Sequence, residues 1–199
     1  NMPKHVLRKA ADLATWSTTA EYLDHLDTLK LGVNVIPMVP HSMLRAEVMG
    51  LRTSVSRDPS EEELQRMESL LETAMAEGYV GFSTDALPFH FLAEDPNRKT
   101  KIPSQFGSYR ELKRLTAILR RWGRMWQATP PKDNPAEVFR NFLLTSGRAH
   151  GKPLKVTAVA AMDVAANRNL VKLAKILTRL LNSTLFNGHF RFQALAAPF

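Results

Sequence analysis

The stretch GFSTDALPFHF, residues 81–91, contains the side chains best suited to chemistry. It begins like a buried strand, continues through Ser83, Thr84 and Asp85, and then reaches His90. A carboxylate and an imidazole beyond the end of a strand can bind a ligand or act as general acid and base. The same Asp also suits a plain turn, in which its side chain accepts a hydrogen bond from the backbone that follows. Both interpretations stay open on the residues alone.

Two further segments place polar side chains at predicted strand ends. His41 and Arg45 follow the apolar segment LGVNVIPMVP, and Gln127 and Thr129 end the segment RMWQAT. His41 also suits a helix cap, and the Gln and Thr side chains also suit hydrogen bonds to the backbone beside Pro130. The candidate substrate-pocket residues are therefore His41, Arg45, Asp85, His90, Gln127 and Thr129.

Sequence motifs for metal binding, nucleophilic catalysis and phosphate binding are missing from this chain. It has no His-x-His or HExxH pair, no GxSxG and no glycine-rich phosphate loop. The absence of cysteine excludes thiolate metal sites within the chain and weakly favours a reducing compartment, so we expect a cytoplasmic protein. The other histidines fall in the lead-in, on helix surfaces or at strand starts: His5, His25, His150 and His189. We assign no metal ligand and no catalytic residue within the chain.

Apolar periodicity predicts the elements that position these residues. Strands are predicted at 31–40 and in YVGFST, RMWQATPP, PLKVTAVAA and HFRFQALAA, with four helices between them. The predicted inward faces of these helices are Leu64, Met67, Leu70, Leu71, Ala74 and Met75; Leu112, Leu115, Leu119 and Trp122; Val138, Phe139, Phe142 and Leu143; and Leu170, Leu173, Ala174, Leu177, Leu180 and Leu181.

Alternation of strands and helices predicts an α/β fold with parallel strands. The two possible arrangements are a doubly wound open sheet and a (β/α)8 barrel. Because only about five strands fit into 199 residues, and the last is apolar, we expect the central part of a barrel, an internal fragment. Residues 1–199 are then one partial barrel domain, with a helical or irregular lead-in at 1–30 and βα units at 31–199.

The net charge of +8 raises the question of an anionic partner. The basic residues are scattered over predicted helix surfaces, and no aromatic residues alternate with them as base stacking requires. We therefore predict no nucleic-acid partner, although an anion-binding role is a third hypothesis that charge alone supports. No apolar run is long enough for a membrane span, so no membrane association is predicted.

Four segments resemble a known family: WSTTAEYLDHLD (16–27), VNVIPMVPHSMLRAEVMG (33–50), SEEELQRMESLLETAMAEGYVGFSTD (60–85) and IPSQFGSYRELKRLTAILRRWGRMWQATP (102–130). In this order they resemble the N-acyl-D-amino-acid deacylases, or D-aminoacylase-like enzymes, of the amidohydrolase superfamily. The resemblance implies a metal-dependent (β/α)8 barrel that hydrolyses an amide of an N-acylated D-amino acid. It implies a divalent metal, zinc, that activates the attacking water in the full-length enzyme.

The resemblance also implies metal ligands that this chain lacks. In the family, a His-x-His pair lies on the first barrel strand and histidines end two central strands. Those central strands read RMWQATPP and PLKVTAVAA here, where the nearest positions are Thr129 and Ala158 to Ala160. We expect the first-strand ligands and the catalytic aspartate of a late strand to lie outside the chain. Either the metal ligation differs in this branch or the central metal site is lost.

The predicted loop at 86–107 is cationic. It carries Arg98, Lys99 and Lys101, which either bind a substrate carboxylate or belong to a solvated lid.

The leading hypothesis is a hydrolase acting on non-peptide carbon–nitrogen bonds, with an N-acylated small molecule as substrate. The alternative is a catalytically inactive barrel fragment with a binding or structural role. On either hypothesis we expect the isolated chain to be inactive and to expose unpaired strand edges. No oligomeric state is predicted.

Overall fold

A computed structural model describes residues 8–9, 11–93, 97–131, 134–159 and 169–193. The helices are α1 (Thr19–Thr28), α2 (His41–Met49), α3 (Leu51–Ser54), α4 (Glu61–Glu77), α5 (Tyr109–Arg121), α6 (Pro135–Phe142), α7 (Gly147–His150) and α8 (Leu170–Leu181). The strands are β1 (Val39–Pro40), β2 (Gly81–Asp85), β3 (Met125–Thr129), β4 (Lys155–Ala158) and β5 (His189–Phe192). Short 3-10 helices cover Pro103–Phe106 and Leu143–Thr145. The predicted alternation of strands and helices is confirmed.

The five strands form one parallel sheet in the order β1-β2-β3-β4-β5. A doubly wound sheet reverses its strand order at a switch point, and this sheet does not reverse. Every helical crossover moves in the same direction, as in a (β/α)8 barrel. The sheet order therefore decides between the two arrangements and confirms the α/β barrel-type fold.

The two faces of the sheet differ in polarity because side chains alternate along each strand. Phe82, Trp126, Val156 and Phe190 lie in register and are buried beneath the helices. The next residue of each strand forms a polar row on the opposite face: Ser83, Gln127, Thr157 and Arg191. In a closed barrel this polar face is the interior, so the row leads toward the barrel mouth.

Helices α4 and α5 bind each other through opposite charges on their surfaces. Arg114 contacts Glu61 and also binds Glu68, with its Nε donating to Glu68 Oε1 at 2.7 Å. Arg121 pairs with Glu72 in the same way. Part of the basic excess is thus paired with carboxylates on helix surfaces.

Several predicted boundaries and inward-facing residues are corrected. The first strand is confined to Val39–Pro40, and the preceding apolar residues Val33, Val35 and Ile36 are exposed. Leu70 is 38% exposed, because the buried face of α4 is narrower than the set of apolar residues that the sequence places on it. Trp122 is 42% exposed because it follows the end of α5 and donates Nε1–H to Glu72 at 2.9 Å. In α8, which packs on the edge strand β5, Leu173 and Leu180 are exposed.

The segment 86–107 is partly structured. Phe91 and Lys101 form an isolated antiparallel bridge, and the 3-10 helix Pro103–Phe106 follows. The last residues of the predicted fifth strand, 194–197, lie outside the described residues. In the described part of the chain, no helix has both the length and the apolar character needed to cross a membrane.

Candidate active site at the carboxyl ends of the strands

Asp85 and His90 form a bonded pair at the carboxyl end of β2. Asp85 is the last residue of the strand, and its Oδ1 accepts a hydrogen bond from the Leu87 backbone N–H at 3.0 Å. Its other oxygen, Oδ2, bonds to Nδ1 of His90. The sequence left two alternatives for Asp85, a turn and a pair with an imidazole, and both are present. The turn reverses the direction of the chain and so brings His90 back to Asp85.

This pair can carry a proton. A carboxylate bound to Nδ1 holds the imidazole in the tautomer whose Nε2 is an acceptor. The Asp85 and His90 side chains are 33% and 44% exposed, so a ligand can reach them. In (β/α)8 barrels the residues that bind ligands lie at the carboxyl ends of the strands. The Asp85–His90 pair lies at this end of β2.

Two residues that sequence reasoning missed hold the pair in place. Ser104 donates its hydroxyl to the backbone oxygen of Asp85 at 2.5 Å. Gln105 donates Nε2–H to the backbone oxygen of His90 at 2.6 Å. Ser42 donates its hydroxyl to Ser104 Oγ at 2.9 Å and accepts from the Ser104 backbone N–H at 3.1 Å. The 3-10 helix therefore connects α2 to the pair; its only local signal is Pro103, a residue typical of a first helical turn.

His41 and Arg45 belong to a separate, buried cluster. Both contact the carboxylate of Glu111, with His41 Nε2 at 2.5 Å from Oε1, and all three side chains are fully buried. Arg45 also donates to the backbone oxygens of Ser54 and Arg57, each at 3.0 Å. Within the described residues these two side chains contact the protein interior rather than an open pocket. Their assignment as pocket residues stays a prediction.

Glu111 was not predicted to lie in this cluster. Its spacing from Ser108 suggests a helix cap, and its backbone N–H does donate to Ser108 Oγ at 3.4 Å. The carboxylate instead compensates the guanidinium charge of Arg45, as a buried charge requires. The contact joins residues 66 positions apart, so no local pattern could reveal it.

Gln127 and Thr129 lie on β3, beside the polar residues of its neighbours. Gln127 pairs in register with Ser83 and Thr157, and Thr129 pairs with Asp85. The Thr129 backbone oxygen accepts from the Ala86 N–H at 2.9 Å. The sheet thus brings Gln127, Thr129 and Asp85 to the same end, while their role in binding stays a prediction.

A cavity of about 180 Å³ lies under the loop that follows β2. Of the six candidate residues, Thr129 lines it; Lys101 from the cationic loop and the supporting residues Ser104 and Gln105 line it as well.

The described side chains do not suit a metal centre. Among them, no group of three or more His, Cys, Asp or Glu residues could hold a metal ion. Asp85 and His90 supply two potential ligands, whereas catalytic zinc takes three protein ligands. At the carboxyl ends of β3 and β4 stand Thr129 and Ala158, which offer no imidazole. The metal that the family resemblance implies therefore does not fit these residues.

Comparison of the sequence with known proteins gives relatives over all or part of its length. No protein-family model matches the chain. An uncharacterized protein of Mycobacterium tuberculosis (strain ATCC 25618 / H37Rv) is 36% identical over 198 residues, covering 98% of this chain and 32% of the relative. The D-aminoacylase of Alcaligenes xylosoxydans xylosoxydans is 45% identical over 67 residues, covering 34% of this chain and 13% of the enzyme.

Solved structures show the same fold. N-acyl-D-glutamate deacylase from Bordetella bronchiseptica, complexed with zinc and a phosphonate inhibitor, has a TM-score of 0.59 and 21% identity, covering 83% of this chain and 32% of the enzyme. A D-aminoacylase studied for its binuclear metal centre has a TM-score of 0.61 and 20% identity, covering 92% of this chain and 34% of the enzyme.

Fold and local sequence point to the same class of protein. The predicted resemblance to the D-aminoacylases of the amidohydrolase superfamily is confirmed. The chain spans about a third of the length of the long relative and of the solved enzymes that it matches.

Proposed function

We propose that the protein carrying this chain is an amidohydrolase that removes the acyl group from N-acylated D-amino acids or related amides. The observation that carries this proposal is the Asp85–His90 pair at the carboxyl end of a strand in a barrel-type sheet. The similarity to D-aminoacylase and to N-acyl-D-glutamate deacylase supports the substrate class. Residues 31–199 are proposed to supply βα units of one barrel domain, preceded by a lead-in at 1–30.

His90 is the proposed proton carrier. With Nδ1 held by Asp85, its Nε2 can accept a proton from the attacking water and return one to the leaving amine. Ser104 and Gln105 keep the two partners in place through their backbone oxygens. A divalent metal, zinc by analogy with the Bordetella enzyme, is proposed for the whole protein, held by residues other than those described.

The experiment is amine release from matched N-acetyl-D- and N-acetyl-L-amino acids by the gene product that carries this chain. We expect hydrolysis of the D-compounds, and we expect His90→Gln to lower kcat by about a hundredfold or more, the usual range for loss of a general acid–base. His189→Gln is the matched control, because His189 lies exposed at the amino end of β5. Absence of hydrolysis on every substrate, or an equal effect of both variants, contradicts the proposal.

A second candidate is a barrel that binds such compounds without cleaving them. The lack of a three-ligand group among the described residues favours it. Tight binding of an N-acyl-D-amino acid without amine release, in the presence of zinc, would identify this case.

A further inference from the structure

The cavity under the loop after β2 lies on the helix side of the sheet. Its apolar wall includes Trp126 and Phe142, which belong to the core between the sheet and the helices. The polar row of Ser83, Gln127 and Thr157 lies on the opposite face. The cavity is therefore a different place from the barrel interior, and an inference about its ligand does not rest on the proposed hydrolysis.

Asn141 brings an unsatisfied acceptor to this cavity. It lies in α6, lines the cavity and is only 8% exposed. Its side-chain oxygen Oδ1 is buried without a hydrogen-bond partner. Buried polar groups are nearly always hydrogen-bonded, so a hydrogen-bond donor is expected beside this oxygen.

Two residues of opposite charge complete the lining. Lys101 comes from the loop, and Glu137 comes from the first turn of α6. Glu137 accepts a hydrogen bond from the Asn134 amide at 3.2 Å, and within the described residues neither Lys101 nor Glu137 forms an ion pair. This cavity is lined by a cation, an anion and a residue with an unsatisfied hydrogen-bond acceptor. Such a lining suits a ligand that carries both charges.

We propose that this cavity binds a free amino acid. Its carboxylate pairs with Lys101, its ammonium group donates to Asn141 Oδ1 and faces Glu137, and its side chain packs on Trp126 and Phe142. The volume of about 180 Å³ is below the usual range for drug-sized ligands and suits a molecule of amino-acid size.

The test is calorimetric titration of the purified gene product with D- and L-alanine, N-acetylalanine and alanine amide. A free amino acid should bind, while acetylation and amidation should each weaken binding about tenfold or more, because each removes a charge-assisted hydrogen bond. Asn141→Leu and Lys101→Gln should weaken binding to the same extent. Lys175→Gln on α8, exposed and away from the cavity, should leave binding unchanged.

Two further variants keep the result interpretable. Asn141→Asp retains an acceptor oxygen and should bind at least as well as the wild type, which separates loss of the acceptor from loss of folding. His90→Gln should leave binding intact, which separates this cavity from the proposed catalytic site. The proposal is overturned if no alanine compound binds up to millimolar concentration, if Asn141→Leu binds normally, or if a crystal structure grown with alanine shows only water at Asn141 Oδ1.

Discussion

At the scale of single residues, a histidine is paired with a carboxylate twice within the described part of the chain, with opposite consequences. Asp85 and His90 are half-exposed, so their bond leaves a ring nitrogen available to a ligand. His41 and Glu111 are fully buried, and Arg45 shares the same carboxylate. Exposure therefore separates the pair suited to chemistry from the pair that stabilises the fold.

Removal of the shared carboxylate should destabilise the protein strongly. Glu111→Gln leaves the Arg45 charge buried without compensation, and breaking such a pair costs about 3–5 kcal/mol. The free energy of unfolding from urea titration measures the loss. Glu72→Gln, which breaks a surface pair with Arg121, is the control and should cost about 1 kcal/mol or less. Equal losses for both variants would show that the buried cluster contributes no more to the free energy of unfolding than the surface pair does.

Glu63 should contribute to stability at neutral pH and lose that contribution in acid. Hydrogen bonds from the Arg57 guanidinium and the Ser60 backbone N–H lower its pKa from 4.5 to about 2. A carboxyl whose folded pKa is lowered stabilises the fold fully above its unfolded pKa, and the effect is lost as pH falls from about 4.5 toward 2. Glu63→Gln should therefore lower Tm at pH 7 more than at pH 3. Parallel Tm curves for wild type and variant across this range would refute the assignment.

At the scale of elements, the 3-10 helix Pro103–Phe106 connects the buried cluster to the exposed pair. Ser104 and Gln105 bind the backbone of Asp85 and His90, and Gly107 then passes close to the His41 ring. A side chain at Gly107 would place its Cβ 2.4 Å from His41 Cε1. The chain passes through this position because glycine has no Cβ.

Gly107→Ala should consequently cost about 1–3 kcal/mol, the usual range for overpacking. Chemical denaturation measures the change. Gly32→Ala is the matched control, because a Cβ at Gly32 meets nothing within 4 Å, and it should be nearly neutral. An unchanged free energy of unfolding for Gly107→Ala would mean that the His41 ring can move aside. The contact between Gly107 and His41 would then not hold the 3-10 helix against the buried cluster.

Local sequence patterns predicted the helices and strands well, and they predicted the contacts between these elements less well. Alternating strands and amphipathic helices follow from apolar spacing, and the Asp85–His90 pair joins residues only five positions apart. Ser104, Gln105 and Glu111 were missed, because their partners lie 15 to 70 positions away and only the folded chain brings them together. Leu173 was placed inward because its helical spacing is apolar, but spacing does not reveal whether a neighbour covers that face.

At the scale of the whole molecule, apolar side chains remain exposed in the segment before β1 and on α8. Val33 and Ile36 are exposed before β1, and Leu173 and Ile176 are exposed on α8. Exposed apolar strands and uncovered helix faces promote association.

The 199-residue chain alone should therefore associate in solution. Leu173→Glu should raise the monomer fraction with little loss of stability, because this side chain is 53% exposed. Size-exclusion chromatography with light scattering measures the monomer fraction. Ala174→Glu, at a buried neighbouring position, should unfold the helix instead. A monomeric wild-type chain would show that the exposed apolar faces are tolerated.

We propose that this chain supplies the wall and the proton carrier of an amidohydrolase site whose metal ligands are not among its described residues. Amine release from N-acetyl-D-amino acids is measured for the 199-residue chain and for the full product of the gene that carries it. Both proteins are supplied with zinc. We expect release only by the full gene product, with loss of activity on chelation. Zinc-dependent turnover by the 199-residue chain alone, or no turnover by either protein, would contradict it.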